Sequence, residues 1–250
     1  MTGYLSFLRK EVREILATWR ILVIPVTLLF CAIASPLLAK ATPYLVSTVA
    51  NLPITLPDPT VLDAYAQWTK NLGQIALLVV IVSFAGAVTT ERTSGTAVLA
   101  LSKQLTPAAF ILAKVTAGVA LVTVSTLIST GVMWVMTRVV FDEAPVRGLV
   151  AGTGAWLLLA VLCLAIVVVF STALDATSAS AGLGIGSWLV MAGISVWGPA
   201  ARWSPVGMVN LPSSLAAGAD VAWLWPVITA ALATILLVGA AILILRRREL

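Results

Sequence analysis

Six stretches of this chain are apolar for long enough to cross a lipid bilayer, and no other feature restricts its fold so strongly. The hydrocarbon core takes roughly 20 helical residues, and inside it every backbone amide must bond within its own segment. The runs fall at about 21–39, 72–90, 108–137, 149–170, 179–198 and 224–245. None alternates between apolar and polar positions, as the strands of a membrane barrel would. The expected fold is an all-α integral membrane protein, a single transmembrane domain over 1–250 with six transmembrane helices. The third run is the longest, so its helix is expected to tilt or to extend beyond the bilayer.

Charge supports this reading. Only 10% of the residues are charged, against about 25% in a soluble domain. The net charge of +5 could suggest nucleic acid, but the basic residues sit at the ends of apolar runs and form no basic face. They read as topology signals and lipid headgroup contacts, with no nucleic acid partner. If the first span enters from the cytoplasm, that side receives Arg9, Lys10, Arg13, Arg20, Arg92, Lys103, Lys114, Arg246, Arg247 and Arg248. The other side receives Lys40, Lys70, Arg138, Arg147 and Arg202. The excess places both termini in the cytoplasm of a multi-pass cell-membrane protein. Trp68, Trp134, Trp197, Trp203, Trp223 and Trp225 then fall near the outer ends of spans, as interfacial anchors would. The charged start of the chain is unlike a signal peptide, so the first span is expected to be retained. Cys31 and Cys163 lie in apolar runs without histidine or a Cys-x-x-Cys spacing and read as plain thiols.

Residues 3–20 place Tyr4, Leu5, Phe7, Leu8, Val12, Ile15, Leu16 and Trp19 at helical spacing among Arg9, Lys10, Glu11, Arg13, Glu14 and Arg20. This is an N-terminal amphipathic interfacial helix, or a solvated helix packed on a partner. Two outer loops, 40–71 and 199–222, are long enough to fold and to cap the outer mouth. The first holds a short helix predicted from Thr60 to Lys70. STALDATS alone joins spans four and five, a tight hairpin whose turn includes Asp175.

The stretch between spans two and three, 91–106, carries the most information. Glu91 and Arg92 mark the water boundary, Thr93 or Ser94 can cap a helix, and Gly95 allows a close turn. Residues 97–101 are apolar but too short to span, and Ser102 to Pro107 breaks them from the third span. The result is a short helix along the interface or an ordinary connecting loop. Lys114, about two turns inside the third span, either snorkels to the headgroups or makes a polar contact coupling the loop to the span.

Glu91, Gly95-Thr96, Leu101-Ser102, Pro107 and Lys114, together with the N-terminal helix, six spans and a basic C-terminus, resemble type 2 ABC transporter permeases (the ABC-2 family) over nearly the whole chain. The family's Ser-x-Pro is absent, replaced by Ser102-Lys103-Gln104. Residues 56–74 resemble permeases grouped with exporters and with maturation systems for copper enzymes. The resemblance implies that 91–106 is a short cytoplasmic coupling helix resting on a separate cytoplasmic ATPase subunit. Arg9, Lys10, Glu11, Arg13, Glu14, Glu91, Thr93, Ser94, Gly95 and Thr96 would contact that subunit, with Ser102 and Lys114 linking loop to span. It also implies pairing with a second permease chain.

No lysine follows a glycine, so the chain cannot build a Walker A phosphate cradle. ATP and magnesium would be bound by the partner ATPase, leaving this chain without a cofactor, metal or catalytic residue of its own. The expected function is the permease subunit of an ATP-driven exporter of an amphipathic or hydrophobic substrate. The alternative is a non-transporting membrane anchor or assembly factor, for example in copper-enzyme maturation, that recruits an ATPase. No acidic residue lies deep in a span, which disfavours an ion-coupled carrier. No pair of acidic residues is expected to share a buried site, which disfavours a membrane enzyme.

Overall fold

The amino-terminal segment Thr2–Ala17 (α1) is helical, and a short bend leads into α2, Arg20–Ala50. A computed structural model describes residues 2–50, 58–96 and 105–248. The predicted short interfacial helix at 97–101, and Ser102 with it, lies outside the described residues. After α2 come α3 (Val61–Asn71), one π-helical turn (Leu72–Ala76), α4 (Leu77–Phe84) and α5 (Thr89–Thr93). They are followed by α6 (Pro107–Phe141), α7 (Val146–Ala173), α8 (Thr177–Ile194), α9 (Gly198–Trp203), a 3-10 turn (Pro205–Val209), α10 (Leu211–Ala216) and α11 (Leu224–Arg247).

Among the described residues, six helical segments are long and apolar enough to cross a membrane: 20–46, 61–93, 107–141, 146–173, 177–194 and 224–247. The protein is an all-α integral membrane protein. Local chemistry sets several helix starts. Thr60 and Asp63 form a reciprocal capping box at α3, satisfying donors that a helix start otherwise leaves open. Thr106 accepts from the Ala109 amide while Pro107 occupies the first turn of α6, where proline sacrifices no hydrogen bond.

Two boundaries differ from the sequence expectation. Helix α2 runs through residues 40–50, which were expected in an outer loop, although Pro25, Pro36 and Pro43 interrupt its hydrogen-bond ladder. Beside Pro36, Ser35 Oγ donates to Cys31 O (2.5 Å) and accepts from Asn71 Nδ2 (2.9 Å). The bond from Asn71 ties α2 to α3 at this level. The 60–70 helix is not a separate cap on the outer mouth but the first turns of the second span, joined to it through the π-turn.

Trp68 also differs. Expected as an interfacial anchor, it is fully buried, with its indole N–H donating to Thr153 Oγ1 at 3.1 Å. Trp134, Trp197, Trp203, Trp223 and Trp225 are exposed, as such anchors should be. The 198–216 segment turns back onto the bundle, where a Cβ at Gly152 would stand 2.7 Å from Pro212 O and one at Gly148 2.9 Å from Ala216 O. Only glycine lets α7 approach the α10 backbone this closely. In α8, Gly184 meets Val167 and Ile81, whereas Gly182, Gly186 and Gly193 face open space.

Candidate functional site

The second span does not reach its end as a continuous helix. Between α4 and α5, residues 85–88 unwind, and the freed Val88 and Thr89 amides donate to Ser171 Oγ at 3.0 and 3.1 Å. Thr89 Oγ1 donates to Ser171 O at 2.7 Å. Non-helical backbone at membrane depth is tolerated only where protein groups replace the lost ladder, and the end of α7 provides them. This break turns α5 so that its consecutive residues Glu91 and Arg92 reach opposite ways.

Glu91 reaches toward α1 and α6. Its Oε1 is 3.0 Å from Lys114 Nζ and accepts a short hydrogen bond from Lys10 Nζ. Lys114 Nζ also donates to both oxygens of Glu11 at 3.1 Å. Lys10 Nζ pairs with Glu11 at 3.1 Å and with Glu14 at 2.6 Å. The side chains of Lys114, Glu11 and Glu91 are only 4%, 6% and 11% exposed. Phe7 and Phe110 stack at 5.2 Å, and both rings lie beneath the Lys114 ammonium. Cation–π attraction thus adds to the ion pairs in a poorly solvated site.

The Lys114 ammonium is therefore buried against Glu11 of α1 and Glu91 of α5 and does not reach out to headgroups. A correction also follows: acidic residues do share a buried site, because carboxylate oxygens of Glu11, Glu14 and Glu91 lie within 4.8 Å of one another. These three residues could hold a cation, but the ammonium groups of Lys10 and Lys114 already stand between their oxygens.

Arg92 reaches the other way. Its guanidinium donates to Thr172 O at 2.8 Å, Leu174 O at 3.4 Å and Asp175 Oδ1 at 2.7 Å. Arg248, just beyond α11, donates to the same Asp175 oxygen at 2.9 Å and to Ala173 O. Two guanidinium groups thus satisfy the open carbonyls at the α7 C-terminus, where positive charge is also favoured by the helix dipole. Hydrogen bonds from Arg92 and Arg248 hold the Asp175 carboxyl below its ordinary value. Through Glu91 and Arg92, α5 joins α1, α6, the α7–α8 hairpin and the carboxyl-terminal helix at one face of the bundle. Both ends of the described chain lie on that face.

The remaining sequence candidates divide cleanly. Arg9, Arg13, Thr93, Ser94 and Thr96 are exposed on this face, and Gly95 is partly buried. Gly95 has a φ of +76°, a conformation that disfavours side chains. Thr96 Oγ1 donates to Glu91 O at 3.1 Å, and Ser94 Oγ lies 2.9 Å from it. Glu11 and Glu91 face inward, away from any surface on which another protein could rest. Sequence reading missed Arg92, Asp175, Arg248 and Ser171 as a functional set, although an arginine beside the glutamate after span two was a visible signal.

The ionic cluster makes α1 docking pH-dependent. Partial burial raises the Glu14 carboxyl, but its hydrogen bond to Lys10 and the surrounding cations outweigh this and set it below its ordinary 4.5. Burial pulls the Lys10 ammonium down, yet Glu14, Glu91 and Glu11 hold it above its ordinary 10.5. A depressed acid stabilises above its unfolded pKa and is lost as pH falls through the folded value; a raised base behaves conversely. Hydrogen-exchange protection factors of α1 should be level between these ordinary values and should fall on either side. Glu14→Gln should blunt the acid limb, and an unchanged limb in that variant would remove Glu14 from the linkage.

Residues 28–250 match the model of a family described as a protein of unknown function, DUF2705. The chain is also 23% identical over 210 residues to the uncharacterized transmembrane protein YxlG of Bacillus subtilis (strain 168). That similarity covers 82% of this chain and 81% of the relative.

Proposed function

Because this chain belongs to the DUF2705 family, whose description names no activity, we propose its function from the geometry: it is the membrane subunit of an ATP-driven exporter, moved by a separate ATPase subunit. The observation that carries this reading is α5, which binds two ion networks back to back and then leads directly into the 94–106 segment. A push on that segment has two routes into the bundle, through Glu91 to α1 and α6 and through Arg92 to α7, α8 and α11. A short element whose hydrogen bonds join several spans is the kind of hinge that converts a local contact into helix movement.

In this reading both termini are cytoplasmic, and the ATPase rests on the exposed side chains of α1 and on Thr93 to Thr96. Glu11, Glu91 and Lys114 transmit the contact and do not form it. ATP and magnesium are held by the ATPase, and the permease pairs with a second permease chain. The buried ion pairs favour this over a passive anchor, because an anchor needs only a surface. A non-transporting anchor or assembly factor remains the second reading.

The test uses the full chain copurified with its ATPase and reconstituted in liposomes. Arg9→Glu with Arg13→Glu should lower permease-stimulated ATP hydrolysis by about tenfold, as loss of two interfacial charges would, without lowering the melting temperature. Unchanged hydrolysis would overturn the docking surface. Hydrolysis that persists without movement of any amphipathic solute would favour the anchor.

A further inference from the structure

At the opposite end of the bundle, a cavity of about 710 Å³ opens between α2, α3, α7, α8 and the 205–213 segment. Its size suits a small ligand, for which such sites are mostly apolar with a few placed polar groups. Two walls face each other across it. One is a helical stripe formed by Asp63, Gln67, Lys70 and Gln74; the other is apolar and includes Trp156 and Trp188.

The polar wall is asymmetric in charge. Asp63 Oδ2 already accepts from the Thr60 amide and hydroxyl, both at 2.8 Å, so its charge is engaged by its own helix. Gln67 Nε2 donates to Asn71 at 3.0 Å. Lys70 has no ion pair among the described residues. On the apolar side, Trp156 is fully buried and backs the wall, while the partly exposed Trp188 ring presents the aromatic surface. The group left available to the cavity is thus the Lys70 cation, which faces apolar surface that includes the partly exposed Trp188 ring.

The helix carrying the stripe is irregular at this level. The π-turn Leu72–Ala76 brings Gly73 and Gln74 to the cavity, and nothing stands within 4 Å of where a Gly73 Cβ would lie. A π-turn inserts one residue into a helix at the cost of weaker hydrogen bonding, and such turns recur at functional sites. Exposed Trp203, Trp223 and Trp225 lie in the segments at this end, so the cavity opens where headgroups meet acyl chains.

We propose that this cavity binds an amphipathic anion, its acidic headgroup at Lys70 and its apolar tail along the wall that includes Trp188. The headgroup is a carboxylate or a phosphate ester, from a free fatty acid or from an anionic membrane lipid. Binding stands independently of whether an ATPase drives the chain.

The test measures quenching of tryptophan fluorescence by a brominated long-chain fatty acid added to the purified full chain in an uncharged detergent. The acid should bind about tenfold more tightly than its methyl ester, the margin of one charge-assisted hydrogen bond. Lys70→Gln should abolish that margin, and Arg138→Gln, outside the cavity, should preserve it. Gly73→Leu, whose side chain enters open space, should weaken acid and ester alike without lowering the melting temperature. A brominated phosphatidylglycerol run in parallel identifies the source, tighter binding of the lipid or of the free acid each fulfilling the proposal. Equal binding of acid and ester to the unaltered protein, or a margin that survives in Lys70→Gln, would overturn it.

Discussion

Lys114→Met should destabilise the folded protein by about 3–5 kcal/mol, the cost of leaving buried charge without its partner. The ammonium stands between Glu11 and Glu91, neither of which has water to turn to. Methionine keeps the length and apolar stem but leaves the two buried carboxylates, beside the Phe7 and Phe110 rings, sharing only the half-exposed Lys10 ammonium. Replacing the glutamates as well, as Glu11→Gln and Glu91→Gln in the Lys114→Met background, should recover much of the loss. Buried ion pairs are costly to break but not always costly to remove whole. Detergent-denaturation curves of the single and combined variants measure this difference. A Lys114→Met chain that unfolds like the unaltered protein would show that the cluster holds nothing together. The same variant should lower α1 protection, because its pairs to Glu11 join α1 to α6.

Trp68→Ala should cost a further class of energy, about 3–5 kcal/mol, through packing and not charge. The surrounding lipid is as apolar as the protein interior, so little hydrophobic transfer is at stake. What disappears is a full set of van der Waals contacts and the hydrogen bond to Thr153. Trp68→Phe should retain part of the contacts and lose the donor. Trp225→Ala, at an exposed position, should change stability by no more than about 1 kcal/mol. Thermal denaturation of the three variants separates a core tryptophan from an interfacial one, and equal losses at positions 68 and 225 would return Trp68 to the interfacial belt.

These residues mark how far the sequence could be read. Thr60 and Asp63 lie three positions apart, and Thr106 directly precedes Pro107, so both helix starts follow from local hydrogen bonding. The STALDATS hairpin was equally legible, because eight residues, all but Leu174 polar or small, between two apolar runs leave no other path. Trp68 was misplaced because a tryptophan near the end of an apolar run looks the same whether it faces lipid or a neighbouring helix. Lys114 signalled a need for compensation without naming its partners. Glu11 lies 103 positions away, and no periodicity within either helix relates the two.

The sequence by itself determined that the chain lies in a bilayer as six helices, because hydrocarbon admits no other use for such long apolar runs. It also marked the segment after the second span as a place where the chain meets water with charge and a flexible turn. Only the tertiary structure decided that Glu91 and Arg92 face different networks, that Glu11 and Lys114 neutralise each other, and that Lys70 and Trp188 line one cavity. Membrane burial acts on each helix separately, whereas ion pairs and cavities depend on the rotation and register of one helix against another, which packing alone sets.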